Sequence, residues 1–425
     1  MMGGKGKKDG KKNSDGKKKA GKGKKGAKGG KKGKKGKGKK GMKGALAVNW
    51  RVKAMYGSDR DFDQMTNELK DLVMTYRQSS PMTAMKQGVA AAIKREFTDH
   101  FEKVDVVLVG SSSSQLAFDW TDVDLTILTH NQTSLEAKDL TLAAQVLANQ
   151  GCISQIMAEE TDISEEHVTI GFHYRTYLCG FRVHLSINDV SSVFHSHLIH
   201  CYHQIDNRLL FILLPIKQWA YNEGLLDPQE GKLSGYLITL MTIFYLQAGH
   251  ITPVLPSLQK SAAKLFQKDL KNIKTWKELQ THKRLKVKSQ NDSGIGKLLV
   301  GFFVYYQPFD FQALEIDVVT GQVRPRVLQD ANYKHIRIAI RDPFEDRIAS
   351  AFVTQLSFVD HFKNKLAQME DKLTDPDRKE DLEEVLQFAG NTRREEVRGQ
   401  FQPSVPNTNA MFSPRAKRTV RAKKK

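Results

Sequence analysis

Two short segments of this 425-residue sequence contain residues that could act together in a reaction. Gly110-Ser111 ends the β-branched run VDVVLVG, and Asp122 and Asp124 open a second such run. Residues two apart in a strand point to the same face, so both carboxylates would lie side by side. Two carboxylates this close repel each other unless a cation lies between them. Hard Mg²⁺ with oxygen ligands is the natural occupant.

The residues after Gly110 form a polar turn that leads into a short helical stretch. Backbone N–H groups and hydroxyls in such a turn can hold an anionic triphosphate. A phosphate cradle twelve residues before a pair of metal-binding carboxylates indicates nucleotidyl transfer. Neither the turn nor the carboxylate pair is specific evidence by itself. Surface acids at a strand end, for example, would give the same Asp-x-Asp pattern.

The elements that would position these residues form an α/β region, which is followed from Val190 onwards by a helical region. Apolar spacing of three and four residues predicts helices, and β-branched runs predict strands. The predicted strands are 104–110, 123–128, 167–172, 175–178, 181–187 and 337–340. The predicted helices are 61–77, 81–101, 133–149, 191–205, 207–222, 233–248, 293–306 and 346–371.

The net charge of +20 belongs to the two ends of the chain. Residues 1–44 hold 20 Lys, two Asp and 15 of the 31 Gly, and residues 413–425 hold seven basic residues and no acidic one. The chain between them carries a net charge of −5. Lys and Gly alone cannot build a core, so we expect disordered tails that bind phosphates without regard to sequence.

Composition excludes several other classes of protein. Three cysteines without a CxxC pair give neither a disulfide framework nor a zinc site. No apolar run reaches the roughly 20 residues of a membrane span, and the start lacks a signal-peptide core. We therefore expect a cytoplasmic protein, with the nucleus as the alternative and no membrane partner. The basic stretch 260–292 is either an RNA-facing insertion or a solvated loop and helix.

The sequence between about 60 and 370 resembles a family, the DNA-polymerase-β-like RNA nucleotidyltransferases. The similarity is to the poly(A) polymerases and terminal uridylyltransferases with a PAP-associated domain. GSSSSQLAFDWTDVD (110–124) matches their G-S-x-x-S-x-L-A-x-x-x-S/T-D-x-D pattern without a gap. Further segments resemble family signatures in the expected order: 185–225, LSGYLITLMTIFYLQ (233–247), LPSLQ (255–259), 298–311 and the DPFE block in 338–345.

This resemblance implies an α+β fold with two domains. A small mixed-sheet palm would occupy 103–205 and a mainly helical central domain 206–372, with N-terminal helices (51–102) packed on the central domain. Residues 1–50 and 373–425 would be the disordered basic tails.

The resemblance also implies a role for individual residues. Asp122 and Asp124 would bind two divalent ions, Mg²⁺ or Mn²⁺, in an in-line displacement. Gly110 and Ser111 would contact phosphates. The remaining nucleotide contacts would be Lys217 at the triphosphate, Tyr236 stacked under the base, and Asp189 near the sugar or base. A surface role for Lys217 and a core role for Tyr236 are the alternatives.

Four residues depart from the family pattern around this one pocket. His184 stands where the family has a third catalytic carboxylate, and imidazole brings no negative charge to hold Mg²⁺. Asp189 replaces an amide, Tyr221 replaces a lysine and Gly235 replaces a serine. The site is therefore either weakened, with a bias to Mn²⁺, or inactive.

The function expected from these residues is transfer of adenylate or uridylate from ATP or UTP to RNA 3′ ends. The alternative is a catalytically impaired relative that serves as an RNA-binding or protein-binding scaffold. The residues after DPFE, from Asp346 to Ala349, lack the histidine that helps uridylyltransferases select uracil, whereas the GSxxSxLA turn favours them. No RNA-recognition module is visible, so sequence-specific RNA targeting would either come from an adaptor protein or be absent.

Overall fold

The computed structural model describes residues 62–98, 104–129, 153–163, 168–176, 179–263, 265–266, 285, 287–326 and 333–388. The helix predicted over 133–149, most of the basic stretch and nearly all of the two tails lie outside these ranges. No helix within them is both long and apolar enough to cross a membrane.

The helices of the described chain are α1 Phe62–Tyr76, α2 Ser80–Thr98, α3 Gly110–Ser114, α4 Val190–Ile205, α5 Arg208–Asn222, α6 Gly235–Ala248, α7 Leu258–Ser261, α8 Ile295–Tyr306, α9 Phe358–Thr374 and α10 Leu382–Val385. The strands are β1 Val104–Leu108, β2 Val123–Thr129, β3 Ile153–Ile163, β4 Val168–Arg175, β5 Gly180–Ile187, β6 Leu314–Asp317, β7 Gln322–Pro325 and β8 Ala339–Ile340.

A five-stranded mixed sheet forms the first layer, in the order β1-β2-β5-β4-β3. The neighbours β2 and β5 are parallel, and the other pairs are antiparallel. Side chains alternate between the two faces of a strand, so Val183 and Leu185 of β5 are buried while His184 between them faces away. The buried face packs against Val89 and Ile93 of α2. The opposite face is left free for polar residues.

The second domain is built around two very apolar helices, α6 and α8. Nearly every side chain of both is buried, which explains why their sequences are apolar on all sides rather than on one stripe. The small sheet β7-β6-β8 lies beside them. A mixed-sheet domain joined to a mainly helical domain confirms the predicted fold class.

The ends of the described chain pack differently from the predicted segments. Helix α1 joins the core of the helical domain, whereas α2 packs on the sheet. Residues 382–388 were assigned to the flexible tail, but Phe388 is completely buried and stacks on Tyr76 with ring centroids 5.1 Å apart. The sequence analysis grouped this segment with the basic C-terminal tail and gave too little weight to its few apolar residues.

The helix predicted over 346–371 is wrong in its first part. Residues 346–357 fold back on β8: the N–H of Ala349 donates to the carbonyl of Ile340, and Ser350 Oγ donates to the carbonyl of Ile338. Helix α9 begins only at Phe358, where apolar residues recur at helical spacing. The turn is favoured over a helix here because it supplies hydrogen-bond partners for backbone groups at the edge of β8.

The strand predictions also need correction. The predicted strands 167–172 and 175–178 are replaced by one strand, β4, and residues 177–178 lie outside the described chain. Neither β3 nor the β6–β7 hairpin was predicted. Strand β3 contains the charged run AEETD, which lacks the apolar alternation that marks a strand.

Candidate active site

A cavity of about 800 Å³ lies between the sheet and the helical domain. All eight site residues predicted from the sequence line it: Gly110, Ser111, Asp122, Asp124, His184, Asp189, Lys217 and Tyr236. They come from β2, β5 and four separate helical or loop segments, so only the tertiary structure brings them together.

The predicted phosphate turn is the single-turn helix α3, and Gly110 is essential to its shape. Gly110 has a φ of +69°, and a Cβ atom there would lie 2.4 Å from Asp124 Oδ2. Any other residue would therefore be strained and would push the carboxylate aside. The Gly110 N–H donates to Ser196 Oγ at 2.7 Å, which ties the turn to α4. This amide is thus occupied within the protein, unlike the free donor that was predicted.

The two aspartates sit where β2 begins. Asp124 is paired in register with His184 on the parallel neighbour β5, and His184 Nδ1 lies 3.3 Å from Asp124 Oδ1. Burial alone would lower the pKa of His184, but the hydrogen bond to Asp124 and the charges of Asp124 and Asp122 raise it. His184 therefore faces Asp124 directly across the two parallel strands.

The donor set fits a divalent ion held jointly with a ligand. Asp122 and Asp124 offer the carboxylate oxygens that suit Mg²⁺ or Mn²⁺, while His184 adds no negative charge. Across the described ranges, no three His, Cys, Asp or Glu side chains lie close enough together to hold a metal ion. The remaining ligands of an ion here would come from phosphate oxygens and water.

Asp189 has a structural role in addition to its place in the cavity wall. It is the N-cap of α4, where its Oδ1 accepts a hydrogen bond from the Ser192 N–H at 3.0 Å. An N-cap carboxylate accepts a hydrogen bond from an otherwise unpaired amide, and its negative charge interacts favourably with the positive end of the helix dipole. This accounts for an aspartate where the family pattern has an amide, since either side chain can cap.

Lys217 projects from α5 into the cavity wall. Its Nζ donates to the carbonyl of Leu116 at 3.3 Å, just beyond the phosphate turn. Burial lowers the pKa of Lys217 to about 8, and the charge of Asp124 opposes that shift. One turn further, Tyr221 lines the cavity where the family has a second lysine and is 38% exposed. The cavity therefore contains Lys217 but lacks the second lysine of the family pattern.

Tyr236 lies at the opposite wall, beside residues that sequence reasoning did not assign to the site. Its ring packs against His195 with centroids 4.9 Å apart, and its buried hydroxyl has no hydrogen-bond partner among the described residues. His195 Nε2 lies 3.1 Å from Oδ1 of the buried Asp342, the first residue of DPFE. Burial would raise the pKa of Asp342, but the bond and charge of His195 lower it overall.

This contact gives His195 a place in the site that its sequence pattern did not indicate. His195 lines the cavity, and its partner comes from a segment 147 residues away. The sequence signal was present in DPFE, but it gave no hint of which helix DPFE would meet.

A buried lysine beneath the cavity was also missed. Lys86 of α2 is completely buried, and its Nζ donates to Gln78 Oε1 at 2.8 Å, Ser112 Oγ at 3.0 Å and the carbonyl of Thr121 at 2.7 Å. Burial lowers the pKa of Lys86 to about 8, against the charges of Asp124, Asp122 and Asp119. A lysine within the apolar stripe of α2 was the available signal.

Comparison with known proteins agrees with this geometry. A family model described as the central palm domain of mitochondrial-like poly(A) RNA polymerase matches residues 65–204. A second, described as Cid1 family poly A polymerase, matches residues 294–347. The two matches cover the sheet domain and the segment that carries DPFE.

Poly(A) RNA polymerase GLD2-A of Xenopus laevis is 26% identical over 287 residues, covering 67% of this chain and 55% of that protein. The chain thus spans about half the length of this curated relative. The GLD-2/RNP-8 complex has a TM-score of 0.65 at 20% identity, and Cid1 with the UTP analog UMPNPP has 0.63 at 19%. Each solved structure covers 77% of this chain and is itself 99% covered, which establishes the fold.

Fold and cavity together define a two-domain nucleotidyltransferase architecture, in which a palm sheet carries an acidic pair toward a helical domain. Within that class, the chain is similar in sequence to poly(A) RNA polymerases, through the family models that match residues 65–204 and 294–347. The resemblance predicted from 110–124 and DPFE is therefore confirmed.

Proposed function

We propose that this protein is an RNA nucleotidyltransferase that adds adenylate or uridylate from ATP or UTP to RNA 3′ ends. The observation that carries the proposal is one cavity lined by an acidic pair, a Gly-Ser turn, a buried lysine and a tyrosine ring. A relative that had lost its activity would have little reason to keep this combination. The scaffold alternative is therefore not favoured.

Each residue would contribute a separate part of the reaction. The Gly-Ser turn and Lys217 would hold the triphosphate, and Tyr236 would stack under the base. The 3′-hydroxyl oxygen of the RNA would form a bond to the α-phosphorus while the bond from that phosphorus to the oxygen bridging to the β-phosphorus breaks. Pyrophosphate would leave with that oxygen, and the hydroxyl proton would pass to water. Asp189 would act through the position of α4, whose Ser196 fixes the Gly110 amide.

Asp122 and Asp124 would hold Mg²⁺ or Mn²⁺ together with the substrate. When bound, divalent ions in such a site stabilise the charge on the attacking and leaving oxygens. His184 would leave this ion bound less tightly than a third carboxylate does, and Mn²⁺, which accepts imidazole more readily, would be favoured.

A direct assay tests the proposal. Purified full-length protein would be incubated with each NTP, Mg²⁺ or Mn²⁺, and RNA oligonucleotides that carry a 5′ label and a free 3′-hydroxyl. The products would be resolved at single-nucleotide resolution. We expect extension with ATP or UTP. Absence of extension in every combination, relative to an Asp122→Ala, Asp124→Ala double variant, would contradict the proposed activity.

Replacing His184 by Asp is expected to raise activity with Mg²⁺ by roughly tenfold, because a third carboxylate adds charge at the ion. The same change places two carboxylates opposite each other across β2 and β5, so the melting temperature should fall without metal and recover with Mg²⁺. His173→Asp is the matched control, since it adds a carboxylate to the same sheet outside the cavity lining. An unchanged Mg²⁺ response in His184→Asp would argue against a role at the ion.

Tyr236 offers a second test, directed at the nucleotide. Loss of the stacking ring in Tyr236→Ala should raise the KM for NTP on the order of tenfold. Tyr236→Phe keeps the ring and removes a hydroxyl that has no partner within the described ranges, so it should retain the KM and match or exceed the native melting temperature. Steady-state kinetics with varied NTP would check both, and equal KM values in Ala and Phe variants would contradict a stacking role.

The choice between ATP and UTP, the partner and the compartment also belong to this proposal. The cavity wall after DPFE carries Arg347, whose guanidinium contacts Glu345 and Asp342, rather than a histidine. This arrangement favours ATP or loose selection. One solved relative is in complex with RNP-8, which supports an adaptor protein as a partner here. We place the protein in the cytoplasm.

A further inference from the structure

Trp120 is an aromatic residue of the sheet domain that borders the catalytic cavity. The proposed function does not use it. It lies two residues before Asp122 in the loop between α3 and β2, and it is partly exposed. Tyr236 belongs to the helical domain on the other wall. Each of the two domains therefore contributes an aromatic residue to the cavity that holds the acidic pair, Trp120 from the sheet domain and Tyr236 from the helical domain.

The indole of Trp120 is held in a fixed orientation. It stacks on Phe118 with centroids 4.7 Å apart and planes 3° from parallel, and Tyr76 meets it edge-on at 6.0 Å. Phe388 lies behind Tyr76 and Phe118: its ring stacks on Tyr76 and meets Phe118 edge-on. One face of the indole is thus covered by a rigid cluster, while the ring still contributes to the cavity surface. A ring that is already ordered loses little entropy when a ligand stacks on it.

A nucleotidyltransferase must hold two nucleotides, since the acceptor and the incoming NTP meet at one phosphorus. In-line transfer places the attacking oxygen opposite the leaving oxygen, so the two bases approach from different directions. Tyr236 accounts for the incoming base. From this arrangement we infer that Trp120 stacks on the 3′-terminal base of the acceptor RNA and so presents its 3′-hydroxyl to the acidic pair.

The chemistry of the surroundings suits a nucleobase of any sequence. Stacking on an aromatic face does not discriminate between bases, which agrees with a chain that has no visible RNA-recognition module. The exposed Arg77 is bridged through its backbone to Phe118, the residue on which Trp120 stacks, so its chain position is close to that of the ring. Phosphates that follow the terminal base would be attracted there.

The inference rests on the proposed function, but it can be tested without catalysis. Full-length protein would be titrated, without NTP, into RNA that carries 2-aminopurine either at the 3′ end or at an interior position. We expect stacking to quench the 3′-terminal probe. Trp120→Ala should remove that quenching, Trp120→Phe should keep most of it, and the interior probe should respond equally in all three proteins.

Tyr221→Ala is the matched control, because Tyr221 is another partly exposed aromatic residue of the same cavity. It should leave the 3′-terminal quenching intact. Unchanged quenching in Trp120→Ala, or its loss in Tyr221→Ala instead, would overturn the inference. Melting temperatures close to the native value in the Trp120 variants would show that the loop remains folded.

Kinetics separates this role from the nucleotide site. Trp120→Ala should raise the KM for RNA by roughly tenfold or more and leave the KM for NTP nearly unchanged, the reverse of Tyr236→Ala. A rise in the KM for NTP alone would overturn the assignment of Trp120 to the acceptor. If quenching occurs but no variant extends RNA, the transferase proposal fails while the base-binding role of Trp120 remains.

Discussion

Asp124→Asn is expected to reduce RNA extension on the order of a thousandfold, with a similar loss in Asp122→Asn. Divalent ions contribute several kcal/mol to phosphoryl transfer, and about 4 kcal/mol corresponds to that factor at 1.36 kcal/mol per tenfold change. Asparagine keeps the shape and the hydrogen-bond acceptor toward His184 but removes the charge that would hold the ion. The loss should therefore appear in kcat at saturating NTP and RNA.

The same substitutions predict a change in stability that is independent of activity. Because Asp124 carries a negative charge near the buried Lys86 and Lys217, its loss leaves those cations less compensated. Melting curves should show a lower native stability and a smaller response to Mn²⁺ than in the unaltered protein. Asp360→Asn, an exposed carboxylate at the start of α9, is the control for charge loss alone. Retention of native kcat in Asp124→Asn would exclude the two-carboxylate mechanism.

Lys86→Met is expected to lower kcat on the order of a hundredfold, although Lys86 touches no substrate. Its ammonium group holds Ser112 of the phosphate turn and the carbonyl of Thr121, next to Asp122. Without it, the turn and the acidic pair lose a shared support, and displacement of about 1 Å at a reacting centre is enough for such a loss. Lys86→Arg keeps the charge and several donors, so it should recover a substantial part of the activity.

A stability control distinguishes positioning from general unfolding. Methionine removes the Lys86 donor from two buried acceptors, on Gln78 and Ser112, and from the partly buried carbonyl of Thr121, and each buried acceptor that loses a donor costs roughly 1–3 kcal/mol. Lys94→Met, two turns along the same helix, removes the ion-pair partner of the buried Asp105 and should destabilise the fold to a similar degree. Assayed below both melting temperatures, Lys94→Met should retain its kcat and Lys86→Met should not. Equal losses in the two variants would reduce Lys86 to a structural residue.

Local pattern was sufficient for the elements that carry the acidic pair. The β-branched runs around 104–110 and 123–128 are strands, and helical spacing located α1, α2 and the helices from α4 to α6 within a few residues. Period and propensity are properties of short segments, so they can be read without the rest of the chain. Pattern failed where a segment's partner was distant: residues 346–357 form a turn on β8, and Phe388 is buried against Tyr76.

The sequence by itself determined which chemistry is available: a Gly-Ser turn, two carboxylates two residues apart, and a histidine in place of a third acid. Only the tertiary structure decided what these groups meet. The parallel pairing of β2 and β5 sets His184 against Asp124, and the return of DPFE to α4 sets Asp342 against His195. It also placed Lys86 beneath the phosphate turn and Trp120 beside the acidic pair. The physical reason is that residue type and spacing act over a few positions, whereas burial, charge compensation and cavity shape arise from contacts between segments far apart in the chain.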